Sequence, residues 1–286
     1  MEVLSGGQIE YYKSLLPTPV QGLTAYVTPQ TGVTYTAISD LSNYTDEKIN
    51  EISKAISNCA DITSVTQTIY LSDETSITVG ATRSYTLSTQ EPMTDRIIGF
   101  NHDILSSSTA YGEATVTGKA GMTWQMVDCL ATRYSMNSSS TNAGGWNASL
   151  MRTSTLPTIK STMPQSLQVI IKSVDKKAAN GGSSNYGVTI TSSNDLFLLA
   201  EIEIVGSVTF AQDGANEGTQ YEYWVGKSAN DRIKYYDNAG TPTATSWWER
   251  SSRNTSTASF CSVRSSGATS SDSASLSRGV AFAYCT

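Results

Sequence analysis

From Thr66 onward the chain alternates apolar and polar residues two by two, in "TQTIYLSDETSITVGATRSYTLSTQE". Ile69 with Leu71, Ile77 with Val79, and Tyr85 with Leu87 fall on every second position, separated by Asp-Glu and Gly turns. A period of two is the signature of strands with one face buried, so this stretch predicts hairpins and a sheet. Composition points the same way. Only 38% of the 286 residues are hydrophobic and 15% charged. The large remainder of Ser, Thr, Asn and Gly belongs to a β-rich, loop-rich chain. "DRIIGFNHDIL" reads as a buried strand entering a loop, and "SLQVIIKSV" and "DLFLLAEIEIVG" as core strands. "GGWNASLMRTSTLPTI" reads as a short helix with Trp146, Leu150 and Met151 on one side, stopped near Pro157. Residues 211–245 form a long polar insertion carrying Tyr221, Tyr223, Trp224, Tyr235 and Tyr236. The class is α+β with long loops.

Ahead of the sheet lies "TDEKINEISKAISNC", a helix over 45–59 capped by Thr45, with Asp46 and Glu47 in its first turn. Ile49, Ile52, Ile56 and Cys59 follow an a/d spacing, and isoleucine at both positions favours three strands. The same helix docked on its own domain is an equal reading. Residues 1–64 are therefore expected to attach or oligomerise the protein, and residues 65–286 to form the working domain.

Several functions lose support at once. A net charge of −6 without a basic run disfavours a nucleic-acid groove. The chain has no apolar stretch of spanning length, and its start lacks the pattern of a secretory signal. Cys59, Cys129, Cys261 and Cys285 are too scattered for a disulfide framework and read as buried thiols, although Cys261 and Cys285 sit in strand-like pieces of one tail. His102 stands alone in "GFNHD"; Asp103 should face away from it, which favours a structural histidine in a polar network. No cofactor, metal set or catalytic constellation is indicated. The sequons at Asn43, Asn137, Asn147 and Asn254 matter only in a glycosylating host.

The tail is the informative part. Residues 251–286 contain no Lys, Glu, Gln, Met or Trp, while the first 250 hold ten, twelve, ten, seven and five of them. At that density about six would be expected in the tail. These five residue types are the ones that no codon ending in a pyrimidine encodes, so asparagine codons with randomised adenines would leave this gap. Trp247, Trp248, Arg250, Phe260, Val263, Phe282 and Tyr284 are suited to scaffold a site. Glu249, Ser252, Arg253, Asn254, Thr255, Thr257, Ser262, Arg264, Ser266, Ser270, Asp272 and Ser275 are polar and expected at the surface as ligand-binding positions.

The segments "RIIGFNHD", "GKAGMTWQMVDCL", "MNSSSTNAGGWNASLMR", "SSNDLFLLAEIEI", "SWWERS", "FCSV" and "GVAFAYC" resemble the variable proteins of diversity-generating retroelements, especially phage-encoded members. The resemblance covers roughly residues 66–286, and the Trp-Trp-x-Arg-Ser opening pairs with the Gly-Val-x-x-Ala-x-Cys ending as its most specific part. Position 249 departs from the pattern, with Glu where an apolar residue, usually Leu, is expected. The resemblance implies a C-type-lectin-like (formylglycine-generating-enzyme-like) fold with a hypervariable region at about 247–286. It further implies a homotrimeric phage tail adhesin that meets other virion tail proteins and a bacterial surface receptor. Two alternatives stand beside it: an enzyme like the formylglycine-generating enzymes, whose chemistry depends on cysteines placed to bind metal and handle oxygen, and a structural virion or bacterial surface protein with no ligand.

Overall fold

The computed structural model describes residues 22–182 and 188–286. The first twenty-one residues of the expected attachment segment lie outside the described residues, as does most of "GGSSNYG". The main sheet is built from β1 (Ala25–Tyr26), β2 (Thr36–Asp40), β3 (Thr68–Leu71), β4 (Thr75–Thr86), β5 (Pro92–Phe100) and β6 (Met122–Met126). Two later strands join it, β9 (Leu196–Phe197) and β15 (Ala283–Cys285). Its order is β1-β3-β4-β5-β6-β15-β9, with β2 running parallel to β4. The expected hairpins are here: Ile69 pairs with Ile77 across β3 and β4, and the turn at Asp73-Glu74 joins them.

The first helix, α1 (Asp46–Ser57), begins where its capping chemistry requires, with the Lys48 N–H donating to Thr45 Oγ1 at 3.2 Å. Ile49, Ile52, Ile56 and Cys59 are buried in the chain's own core with Ile97, Met122 and Trp124. The a/d seam is thus consumed within one chain and is not left for a trimer. Residues 22–64 likewise join the main sheet and its core, so no structural break falls at 64. Gly121 makes this packing possible, because a Cβ there would run into the Ser53 carbonyl of α1. Asn101 closes the other end, donating from Nδ2 to the carbonyls of Ile56 and Cys59 at 2.9 and 3.1 Å.

Three stretches depart from their sequence patterns. "SLQVIIKSV" divides into a helix, α4 (Gln165–Ile170), and the start of β7 (Val174–Ala179), which pairs with β8 (Thr189–Asn194). "DLFLLAEIEIVG" supplies β9 and then turns into α5 (Glu201–Val205). Continuous apolar runs do not distinguish buried strand from buried helix, and here tertiary burial decides. The Trp146 stretch forms α2 (Gly145–Ala148), a π-helical turn over Met151–Thr155, and α3 (Leu156–Lys160). Pro157 opens α3 rather than stopping a helix, since a missing N–H costs nothing in a first turn. Trp146 and Met151 are buried, whereas Leu150 is 40% exposed.

Residues 211–245 contain three short 3-10 turns and the hairpin of β10 (Lys234–Asn238) with β11 (Thr241–Thr245). The chain ends with a small sheet of β12 (Trp247–Ser252), β13 (Ser259–Val263) and β14 (Thr269–Ser273), before β15 returns to the main sheet between β6 and β9. All five tryptophans are buried, and every indole N–H has an acceptor. Trp124 uses Thr286 Oγ1, Trp146 Asn194 Oδ1, Trp224 Gln125 Oε1, Trp247 the Arg232 carbonyl and Trp248 the Tyr134 carbonyl, at 2.9–3.1 Å. The last two bonds hold the tail sheet to distant parts of the chain. Among the described residues no helix is long and apolar enough to cross a membrane.

Candidate binding surface

The tail sheet is registered by Trp247 opposite Val263, Trp248 opposite Ser262 and Ser252 opposite Phe260. Between the last two pairs, Glu249, Arg250 and Ser251 lie opposite the single residue Cys261. This bulge bends β12 inward, and the Arg250 N–H leaves the ladder to bond the Leu199 carbonyl at 2.9 Å. The Arg250 side chain is completely buried. Its guanidinium pairs with both Glu203 oxygens, the Nη2–Oε1 contact being 2.8 Å, and also donates to the carbonyls of Lys177, Leu198 and Glu217. Lys176 joins Glu203 and Asp103 at 2.7 Å each, and Tyr221 donates its hydroxyl to Asp103 at 2.9 Å. Burial pushes the Glu203 carboxyl up, but Arg250 and Lys176 outweigh it and leave the group below its ordinary value. His102 stands outside this bond set, stacked on Tyr221 with Nδ1 3.3 Å from Glu222.

Seven residues expected as scaffold, Trp247, Trp248, Arg250, Phe260, Val263, Phe282 and Tyr284, are fully buried. Twelve were expected at the surface, and the sheet divides them. Thr255, Thr257, Arg264, Ser266 and Ser275 are exposed, and Arg253, Asn254 and Asp272 are half-buried. Glu249, Ser252, Ser262 and Ser270 are buried, which corrects the expectation for these four. Their positions in the pleat explain it: Ser262 and Ser270 are cross-strand partners on the face that carries Trp248 and Phe260. Ser262 donates to Asp272 Oδ2 at 2.9 Å, and Ser270 Oγ accepts from Arg264 Nε at 3.0 Å. Ser262→Tyr should therefore cost about 1–3 kcal/mol by overpacking. Thr257→Tyr and Ser266→Tyr should stay within about 0.5 kcal/mol of the parent. Urea titrations of the three variants check this, and equal losses at all three positions would refute the division.

The exposed residues form two patches rather than one. The β12–β13 loop and the segment after β14 share one end of the sheet, joined by the Ala274 N–H donating to the Ala258 carbonyl at 2.8 Å. Arg253, Asn254, Thr255, Thr257 and Ser275 lie there. Asn142 pins this loop, donating from its backbone N–H to the Thr257 carbonyl at 2.8 Å and from Nδ2 to the carbonyls of Ser256 and Ser259 at 2.8 and 2.9 Å. Ser140 Oγ meets Ser273 and Ser275 Oγ at 2.7 and 2.9 Å. The Arg253 guanidinium sits over the Phe210 ring, 5.8 Å from its centre. At the opposite end, the β13–β14 turn presents Arg264 and Ser266 above a hollow of about 420 Å3. Five residues of β13 separate the ends by roughly 17 Å.

Sequence reading missed Asn142, Ser140 and the whole charge cluster of Asp103, Lys176, Glu203 and Glu217. For the cluster a signal existed, since Glu201 and Glu203 interrupt an otherwise apolar run and demand buried partners. Asn142 gave none, because a loop asparagine looks alike whether it faces water or a neighbouring loop. Glu201 is satisfied locally, accepting from the N–H groups of Thr209, Phe210 and Ala211. Cys261 and Cys285 are free, lie on different sheets and are completely buried, with burial pushing both thiols well up. Among the described residues no three His, Cys, Asp or Glu side chains form a metal-holding group.

The fold and this surface define a mixed α+β domain that presents polar loops from a small, aromatically anchored sheet. The chain belongs to the DUF6273 family, a domain of unknown function, whose model matches residues 117–284. The match takes in β6, the anchoring loops and nearly all of the tail sheet and closing strand. No curated protein and no solved structure matches the chain.

Proposed function

We propose that this protein is a ligand-binding protein with a replaceable carboxyl-terminal surface, acting as a phage tail adhesin that recognises a bacterial surface receptor, protein or glycan. The observation that carries this reading is the separation of roles within one small sheet. Thr255, Thr257, Arg264, Ser266 and Ser275 are exposed on or beside its turns, while the aromatic residues flanking them are buried and Trp247, Trp248 and Tyr284 are hydrogen-bonded to distant parts of the chain. Side chains on such turns can change with little effect on folding, so the surface can be renewed while the backbone stays put.

The C-type-lectin-like architecture belongs to the same proposal. It is supported by a closing strand that re-enters the main sheet after the tail has built a smaller sheet bearing loops. On this reading the protein works at the host surface as part of the virion, by binding and without a cofactor. A homotrimer would have to use a face other than the α1 seam, which is already buried.

Exchanging residues 253–258 and 264–268 between two natural variants tests the proposal. Host or receptor choice should follow the exchanged loops, and sibling sequences should concentrate their substitutions at the exposed tail positions. Receptor choice that stays with residues 22–246, or substitutions spread evenly along the chain, would remove it.

A further inference from the structure

The hollow at the β13–β14 end has a chemistry of its own. Its walls include Ser246, Ser265, Ser266 and Ser270 together with Arg264 and Asp272, and no large apolar side chain contributes. A ligand seated there is held by polar contacts. Asp272 is already neutralised, accepting from Arg278 Nη2 at 2.8 Å and from Ser262 Oγ at 2.9 Å. Arg264 commits Nε to Ser270 Oγ and acts on Asp272 through its charge, but its two terminal nitrogens make no hydrogen bond among the described residues. One cationic fork with serine hydroxyls around it is therefore left facing the hollow.

From this we infer that the hollow is a subsite for an oxyanion, a carboxylate or a phosphate, carried on a polyhydroxylated chain. The inference rests on the binding reading above and names the chemistry that one of its two patches takes. A planar guanidinium with two free N–H edges matches a carboxylate or phosphate in a bidentate way, and the hydroxyls can donate to or accept from sugar or polyol groups. The turn is set before any ligand arrives. The Gly267 N–H donates to the Arg264 carbonyl and the Arg264 N–H to the Ala268 carbonyl, both at 2.8 Å, while the Gly267 carbonyl accepts from Arg232 Nε at 3.0 Å. Gly267 has φ +79°, and a Cβ there would run into the Ala229 carbonyl, so the turn lies flat against the 229–232 segment. Holding the fork still lowers the ordering cost of binding. The chain's net charge of −6 opposes general attraction of polyanions, so any affinity for them must come from a local site.

Calorimetric titration of the full chain with three polymers of similar length tests this: oligogalacturonate, oligo(glycerol phosphate) and neutral dextran. At least one anionic polymer should bind, more weakly as salt is raised, and dextran should not. The two anionic arms decide which oxyanion is taken. Arg264→Ser should weaken binding by about tenfold or more, and Ser266→Asp, which sets a like charge on the rim, should weaken it too. Both positions are exposed, so the variants should melt with the parent. Arg133→Ser, which removes an exposed cation stacked on Tyr236 away from the hollow, should bind as the parent does. Equal binding of dextran, parental affinity in Arg264→Ser, or binding of neither anionic polymer overturns the subsite. A loop exchange that fails to move receptor choice overturns the binding reading instead, and the two failures are read in separate experiments.

Discussion

Replacing Glu249 with Leu should stabilise this protein, and by more at pH 8 than at pH 5. Glu249 is 0% exposed, and neither carboxylate oxygen has a hydrogen-bond partner. Burial, then the nearby Glu201 and Glu217, push its carboxyl far above the ordinary range. Glu217 is pushed up by burial to about 7 and Asp95 likewise to about 6. Each of these carboxyls keeps its proton in the fold at a pH where the unfolded chain has released it. Folding therefore takes up protons above about pH 4, and stability falls as pH rises through about 7. For Glu217, moving from the ordinary 4.5 to about 7 corresponds to about 3 kcal/mol. Asp103 and Glu203 act oppositely, because their cationic partners hold them low and their contribution is lost only in stronger acid. Burial pulls Lys234 down to about 8, which alters the balance only above that pH. Maximal stability is thus expected near pH 4, where the raised carboxyls are protonated in both states and the low-held ones are still ionised in the fold. Leu at 249 removes an unpaired buried polar group, a gain of about 1–3 kcal/mol, and Gln should recover the pH-dependent share only. Urea unfolding at pH 5 and pH 8 checks this. A gain of the same size at both, or a loss at pH 8, would show that Glu249 has a partner or is not protonated.

Arg250→Met should do the reverse, removing about 3–5 kcal/mol. That is a large part of the 5–15 kcal/mol that ordinarily separates folded from unfolded chains, so a poorly folded product is expected. The loss arises because Glu203 keeps Lys176 as its one remaining cationic partner beside the Ala200 N–H, and three carbonyls lose their donor. Arg250→Lys should recover little, since an ammonium cannot bridge both Glu203 oxygens and still reach Lys177, Leu198 and Glu217. The double variant Arg250→Met with Glu203→Met should regain a substantial share, because the uncompensated charge goes with its partner. Melting curves of the four proteins settle the matter. A single Met variant within about 1 kcal/mol of the parent would mean that the pair contributes packing alone.

These two neighbours on β12 show where sequence and tertiary structure part. Local chemistry announced α1, from the Thr45 cap to the last isoleucine, and it announced the β3–β4 hairpin, whose alternation survives in the registered pair of Ile69 and Ile77. Short-range rules suffice there, because a helix start and a hairpin are decided by neighbours a few residues away. The aromatic scaffold of the tail was legible for a related reason: Trp, Phe and Tyr side chains lose too much by staying in water to belong anywhere but inside.

The sequence by itself therefore determined the β3–β4 hairpin, the capped helix and which tail side chains are anchors. The tertiary structure alone decided that Ser262 and Ser270 turn inward while Ser266 and Ser275 turn out, and that the polar tail forms two patches at opposite ends of a sheet. It alone decided that Glu249 and Arg250, adjacent and both ionisable, meet opposite fates, one unpaired and one fully bonded. The physical reason is that a hydroxyl or a charge is content wherever it finds a partner. For this chain those partners, from Tyr134 to Glu203, stand dozens of residues away and come into reach only once the sheet has closed.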